Sequence, residues 1–150
     1  TAGSLHDRLA DLGAQAMADA IVPLARGELR GEIQDDSQAT YAHKLNKDEA
    51  RIDWQQPATA LDRQIRAFNP WPICQTQLGG EVIKVLAAEP AQGSGRAGVI
   101  LKADRNGLTV ACGEGALRLT RLQLPGGKAL AFADLLNSRR DQFACGRVLQ

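Results

Sequence analysis

The sequence predicts an α+β fold in which N-terminal helices precede a small open antiparallel β-barrel and a C-terminal helix. Three observations lead to this prediction. Apolar residues recur at helical spacing in the first part, and from Ile73 onward they alternate with the period of two that is typical of strands. Glycine turns, among them Gly79-Gly80 and Asn106-Gly107, divide the second part into short segments. Five short strands joined in this way indicate an OB-like barrel.

The first helical region is expected to be interrupted. Apolar spacing predicts a helix over 5–12, a break at Gly13, and a second stretch over 14–26 that Pro23 kinks or shortens. The apolar face of this region is too narrow to form a core of its own. We therefore expect these helices to pack on another body.

A linker and two short helices should connect this region to the barrel. The polar segment 28–39 is typical of a linker. Asn46 is a suitable cap for a short helix over 47–52, and Pro57 suits the first turn of a helix over 57–68. The N-P-W-P sequence that follows ends this helix, because neither proline can continue it.

The barrel should consist of five strands and a final helix. The segment 91–95, with two glycines and a serine, is expected to form a flexible loop between the second and third strands. The predicted strands are 73–78, 81–88, 98–103, 108–112 and 116–124, and the predicted last helix is 131–140.

Three aromatic residues lie between the predicted helix over 47–52 and the first predicted strand, and no aromatic residue lies in the predicted strands. Trp54, Phe68 and Trp71 are interpreted as packing residues of the core or of a domain interface, because large aromatic side chains chiefly bury area. A barrel face without aromatic residues has no platform for stacking nucleic-acid bases.

Charge is distributed unevenly along a chain whose net charge is +1. Residues 1–56 carry six Lys/Arg against ten Asp/Glu, a balance of −4, and residues 57–150 carry twelve against seven, a balance of +5. The basic second part favours a polyanion as partner. No apolar run approaches the roughly 20 residues that cross a bilayer, so no membrane segment is expected.

The cysteines do not indicate a metal or redox site. Cys74, Cys112 and Cys145 are far apart, odd in number and not joined by histidines at ligand spacing, since His6 and His43 lie elsewhere. We expect reduced thiols in the cytoplasm, no metal and no catalytic cluster.

Three ordered motifs resemble those of the methionyl-tRNA formyltransferase family. The first has the pattern T-Y-A-x-K-[IL]-x-[KP]-[ED]-[ED]-[AG]-x-[IL]-[DN]-W, the second R-A-[FL]-x-P-[WY]-P, and the third L-[LF]-N-[SG]-R. The first is matched by Thr40, Tyr41, Ala42, Lys44, Leu45, Asp48, Glu49, Ala50, Ile52, Asp53 and Trp54. The others are matched by Arg66, Ala67, Phe68, Pro70, Trp71 and Pro72, and by Leu135, Leu136, Asn137, Ser138 and Arg139.

The resemblance implies that this chain is the C-terminal portion of such an enzyme. Residues 1–30 would be the last helices of a catalytic nucleotide-fold domain otherwise missing here, 31–46 a linker, and 47–150 the barrel domain of the formyltransferase C-terminal type. The family transfers formyl from formyl-tetrahydrofolate to methionyl initiator tRNA during translation initiation. Its catalytic Asn, His and Asp and its S-L-L-P folate signature have no match in this sequence, so we expect an inactive monomer that binds no cofactor.

Basic residues carry the expected tRNA-binding role, through the phosphate backbone. In a regular strand Arg118 and Arg121 would point to opposite faces, so both should not line one surface. The candidate tRNA-binding residues are Lys44, Lys47, Arg51, Arg66, Arg118, Lys128, Arg139 and Arg140.

Two alternatives remain open. Sugar-nucleotide and folate-dehydrogenase formyltransferases share the barrel and act without tRNA, although the K-L-N-K-D-E-A-R-I-D-W and L-L-N-S-R segments argue against them. The barrel could also be a structural module that only holds domains in place.

Overall fold

The computed structural model describes all 150 residues, which divide into two compact units. A helical unit comprises Gly3–Leu45, and a barrel unit comprises Asn46–Gln150 together with Thr1–Ala2. The barrel unit carries the hydrophobic core, whereas the helix of the first unit has no buried residue.

The helical unit contains one continuous helix, α1, at Ala2–Ala25. The predicted interruption at Gly13 is therefore wrong, because a single glycine costs only about 1 kcal/mol relative to alanine and its neighbours are good helix formers. Pro23 lies inside the last turn and does not stop the helix. Gly27 stops it, with φ 72° and an N–H that donates to the Leu24 carbonyl at 3.0 Å.

The predicted linker contains little regular structure. A 3-10 turn at Asp36–Gln38 is capped by Asp35, whose Oδ1 accepts from the Ser37 N–H at 3.0 Å. Hydrogen bonds from the side chains of Ser37 and Gln38 and from the Ser37 N–H lower the pKa of Asp35. This carboxylate is thus held as a local cap and is not available as an acid catalyst.

The barrel unit begins with a capping box. The Asn46 Oδ1 accepts from the Asp48 N–H at 3.2 Å, and the Asn46 N–H donates to Glu49 Oε1 at 2.8 Å. The helix that follows is a 3-10 helix at Lys47–Ala50, shorter than the predicted 47–52 because the Ile52 N–H donates to the Gln75 carbonyl instead. The cap prediction is confirmed.

Helix α2, at Ala58–Ala67, packs on the barrel and leads into the N-P-W-P turn. Phe68 and Trp54 are buried as predicted. Trp71 is 52% exposed, so it does not belong to the core, and its alternative role at a domain interface stays a prediction. The turn contains two cis peptide bonds, Asn69-Pro70 and Trp71-Pro72. The Asn69 side chain ties it to the sheet by donating to a carbonyl of the second strand at 2.7 Å.

All five predicted strands are present, and a sixth was missed. The strands are β1 Cys74–Leu78, β2 Glu81–Ala91, β3 Ile100–Asp104, β4 Gly107–Ala111, β5 Ala116–Gln123 and β6 Ala129–Ala131, and α3 is Phe132–Arg139. The spatial order of the strands is β1-β2-β5-β4-β3, every pairing is antiparallel, and β6 pairs with β5. The sixth strand has three residues, too few to show a period of two.

The C-terminal residues link the two ends of this strand order. The Leu149 N–H donates to the Gly98 carbonyl at 2.8 Å, just before β3. Gln150 exchanges two hydrogen bonds with Gln77 of β1, at 2.7 and 2.9 Å. The Ile100 N–H of β3 also donates to the Arg147 carbonyl at 2.8 Å, so the C-terminal residues satisfy backbone groups of both outer strands.

The buried core contains a polar connection that fixes its packing. The Trp54 Nε1–H donates to Thr76 Oγ1 at 2.9 Å, and the Thr76 hydroxyl donates to the Gln150 carbonyl at 2.9 Å. Elsewhere in the same core, Phe132 and Phe143 meet edge to face with ring centroids 5.1 Å apart. None of the helices in the chain is both long and apolar enough to cross a membrane.

Candidate nucleic-acid interface

Strand β5 is irregular, and this changes where its two arginines lie. Register shifts against β2 occur on both sides of Ala87: Leu86 is an extra residue in β2 before it, and Thr120 is an extra residue in β5 after it. Leu119 and Leu122 are consequently both buried although they are three residues apart. Arg118 and Arg121 therefore both lie away from the core, and the expectation for a regular strand does not hold.

Two of the eight candidate residues are neutralised by ion pairs. Arg66 donates to Asp62 through Nε and Nη2, at 3.1 and 3.0 Å. Arg118 Nη1 lies 3.1 Å from Glu89 Oε1, and a Cβ at Gly107 would lie 2.6 Å from the Arg118 Cγ. The Arg118 side chain thus packs over Gly107, and its charge is paired with that of Glu89. Both Arg66 and Arg118 therefore make structural contacts within the protein.

The other six candidates have no carboxylate oxygen within 4.0 Å. Lys44 belongs to the helical unit and the remaining five to the barrel unit. Their charges are free to act on a polyanion, since no ion pair offsets them. The six are Lys44, Lys47, Arg51, Lys128, Arg139 and Arg140.

Arg139 and Arg140 line a groove at the end of α3. The groove has a volume of about 360 Å³ and also contains Arg147, which the sequence analysis did not single out. Arg147 is held in place because its Nη1 donates to the Gln142 carbonyl at 3.0 Å. The structure therefore brings three arginines together where the sequence indicated two.

Carboxylates partly offset this charge. Glu81 and Asp141 also line the groove, and Glu81 Oε2 accepts from the Gln142 Nε2 at 2.8 Å. Arg140 in addition lines a neighbouring groove of about 350 Å³ that contains Arg105 and Asp104. The pKa of Asp104 is lowered, first by its hydrogen bond with Lys102, so this acid remains ionised. The surface is basic on balance and suited to phosphate oxygens.

The cysteines form no site. Burial raises the pKa of the Cys74 thiol to about 12 and that of the Cys112 thiol to about 11. Thiols with such values are protonated at neutral pH and are poor nucleophiles. Cys145 is exposed, and the chain holds no group of three His, Cys, Asp or Glu side chains arranged to bind a metal ion.

Residues 44–140 match the family described as the C-terminal domain of formyl transferases. The chain belongs to this family. All eight candidate residues, from Lys44 to Arg140, lie within the matched range. The motif resemblance is confirmed at the level of the family.

Similar proteins extend over nearly the whole chain. It is 69% identical over 147 residues to the methionyl-tRNA formyltransferase of Pseudomonas paraeruginosa, covering 98% of this chain and 47% of that protein. It is 70% identical over 149 residues to that of Ectopseudomonas mendocina, covering 99% of this chain and 48% of that protein. The chain therefore spans about half the length of these curated relatives.

Solved structures share the fold of the formyl transferase C-terminal domain. A variant of HypX from Aquifex aeolicus superimposes with a TM-score of 0.65 at 19% identity, over 87% of this chain and 24% of that chain. HypX in complex with tetrahydrofolic acid gives 0.64 at 20% identity, over 83% and 22%. At these identities the likeness is one of fold, and it confirms the predicted α+β class.

Proposed function

We propose that this chain is the tRNA-binding C-terminal part of a methionyl-tRNA formyltransferase. The observation that carries the proposal is the 69% identity over 147 residues to an enzyme of that name. The whole protein would transfer formyl from formyl-tetrahydrofolate to the amino group of methionyl initiator tRNA. The relatives with 64–70% identity all bear this name, which favours it over a sugar-nucleotide or folate-dehydrogenase formyltransferase.

The charge of the barrel unit supports a contact with the tRNA backbone. Five candidate cations of this unit have no carboxylate partner, and Arg147 joins two of them in one groove. The six strands contain no aromatic side chain on which bases could stack. Phosphate contact by Lys and Arg gives affinity that is independent of sequence and weakens as salt rises.

In this proposal the chemistry belongs to a part of the protein that these residues do not include. Formyl transfer requires a base for the substrate amine and donors for the developing oxyanion. The carboxylates of Asp35, Asp53 and Asp104 have lowered pKa values caused by local hydrogen bonds, which suits caps and turns and does not suit a base. The chain would hold tRNA as a monomer and bind neither folate nor metal.

Direct binding tests the proposal. The 150-residue chain is titrated into fluorescent initiator tRNA at about 50 mM salt and at higher salt, with an acidic protein of equal size as reference. We expect binding whose affinity falls steeply with salt. Affinity no better than that of the acidic reference would overturn the tRNA role and leave a structural module.

A double charge reversal locates the contact. Arg139→Glu with Arg140→Glu should weaken binding about tenfold or more, because two phosphate contacts become repulsive. The matched control is Arg8→Glu with Arg30→Glu, which changes the net charge equally in the helical unit. Equal losses in the two double variants would show that only the net charge matters and would reject the groove as the contact.

A further inference from the structure

A row of polar side chains crosses the outward face of the sheet. Gln75 of β1 is directly opposite Lys84 of β2, and Lys84 is directly opposite Gln123 of β5. Arg51 forms a parallel bridge with Gln75 from the other side. Directly paired residues point to the same face of a sheet, so these four side chains lie next to one another, and we call them the polar row.

The polar row lies on the solvent side of the barrel. The neighbours of Lys84 in β2, Ile83 and Val85, are both 0% exposed, whereas Lys84 is exposed. Leu122, the neighbour of Gln123, is likewise buried. Adjacent strands lie about 4.8 Å apart, so four successive positions extend over roughly 14 Å.

The row continues towards a fifth position, which is the basic residue Lys128. Gln123 is paired with Ala129 of β6, and Lys128 immediately precedes that residue. The Gln123 Nε2 donates to the Gly127 carbonyl at 2.9 Å, which fixes both the amide and the turn that carries Lys128. Cations therefore stand near both ends and in the middle, with amides between them.

The charges of the row serve no contact within the protein. Arg51, Lys84 and Lys128 have no carboxylate oxygen within 4.0 Å, whereas Lys102 pairs with Asp104 at 2.7 Å. An acidic residue opposite Lys84 would stabilise the sheet, yet both positions opposite it hold neutral glutamines. The charges of Arg51, Lys84 and Lys128 and the side-chain amide of Gln75 therefore remain available to a partner outside the protein, whereas the Gln123 amide is held by Gly127.

A shallow cavity lies at the end of the row formed by Arg51 and Gln75. It has a volume of about 300 Å³ and is lined by Arg51, Gln75, Gln77 and Val82, together with the carboxylate of Asp48. The guanidinium and two amides can donate to phosphate or ribose oxygens, and Val82 provides an apolar floor. Asp48 lowers the local positive charge but forms no ion pair with Arg51.

We propose that the polar row is a second contact for the phosphate backbone of RNA, separate from the arginine groove at the end of α3. This inference rests on the proposed tRNA-binding function and deepens it. Cations and amides are the side chains that contact phosphate and sugar, and they position a nucleic acid without reading its bases. The absence of an aromatic residue in the strands fits a backbone contact.

Neutralising substitutions test the row without adding repulsion. Lys84→Gln and Arg51→Gln are introduced singly and together into the 150-residue chain, and binding to fluorescent initiator tRNA is measured across a salt series. Each substitution should weaken binding about three- to tenfold and reduce the slope of log affinity against log salt by nearly one. Lys84→Gln places a neutral amide between Gln75 and Gln123, so the thermal midpoint should stay unchanged.

The control is Arg8→Gln, which removes one exposed charge from the helical unit and leaves every member of the row in place. It should leave the slope as it is in the unmodified chain. Row variants that behave like the control would overturn the row while the proposed function stands. An unmodified chain without salt-dependent binding would overturn both, and competition by polyglutamate as effective as that by tRNA would overturn RNA as the partner.

Discussion

The helical unit and the barrel unit obtain their structure in different ways. Helix α1 runs for 24 residues without a buried side chain, and Leu5, Leu9 and Leu12 are each more than half exposed. Its helical backbone hydrogen bonds join residues one turn apart, and an isolated helix of this kind is only marginally stable in water. The barrel unit has a continuous core and depends on pairs such as Gln77 with Gln150, which are far apart in sequence. The stability of the chain should therefore reside in the barrel unit.

The largest effect is expected from Gly113→Ala. A Cβ at this position would collide with the Gln55 backbone carbonyl. The backbone cannot easily move, because the Gly113 N–H donates to the carbonyls of Trp54 and Gln56 at 2.8 and 3.1 Å. We expect a loss of about 3 kcal/mol in the free energy of unfolding, measured by urea denaturation.

Gly31→Ala is the matched control for this substitution. Gly31 lies in the helical unit and has no heavy atom within 4 Å of an added Cβ. It should leave the urea midpoint of the barrel unit unchanged. Equal midpoints for the two variants would mean that the close approach of the backbone at Gly113 does not determine the stability of the barrel unit.

Alkaline pH should destabilise the barrel unit through its buried thiols. Burial raises the pKa of Cys74 to about 12 and that of Cys112 to about 11. In the unfolded chain these thiols ionise near their ordinary pKa of about 8.5, whereas in the folded chain they stay protonated up to their raised pKa values. Their contribution to the free energy of unfolding is therefore fully present below about pH 8.5 and is lost as the pH rises towards the folded values. The loss at pH 10 should be about 1 to 2 kcal/mol per thiol, measured by urea unfolding at pH 7 and pH 10.

Single cysteine variants separate this effect from other titrations. Cys74→Ala should lower stability at pH 7 through lost packing but should also reduce the dependence on pH. Cys145→Ala, at an exposed thiol, should retain the full dependence. A pH dependence that is the same in both variants would contradict the assignment to the buried thiols.

The smallest effect is a gain, expected from Gly13→Ala. No heavy atom lies within 4 Å of an added Cβ, and alanine favours the helix by about 1 kcal/mol. Amide hydrogen exchange in α1 should slow about fivefold, which corresponds to this free energy, while the melting transition of the barrel stays in place. A shift of the barrel transition would show that the two units do not unfold separately.

Local patterns predicted much of the fold because they act over a few residues. The start of β2 at Glu81 follows from Gly79-Gly80, and the cap at Asn46 follows from an amide three residues before a glutamate. The break at Gly13 was wrong because a helix of good formers tolerates one glycine. The tail 147–150 carried no signal, since its partners lie in β1 and before β3.

The candidate site was predictable only as a list of basic residues. Motif and charge pointed to Arg139 and Arg140, but the position of Arg147 beside them depends on how the tail returns to the barrel. Lys84 was not singled out, because its neighbours along the chain, Ile83 and Val85, give only a strand pattern. The other members of the polar row are Gln75 of β1, Gln123 of β5 and Arg51, which directly follows the 3-10 helix at Lys47–Ala50.

The sequence by itself determined the family, the change from helices to strands, most strand positions and the excess of basic residues in the second part. These follow from composition and from periods of two and 3.6, which are properties of neighbouring residues. Tertiary structure alone decided which cations are neutralised, as with Arg118 and Glu89, and which lie side by side, as with Lys84 between two glutamines. Strand register and the bulge at Thr120 set these contacts, because they depend on pairing between segments that are distant in the chain.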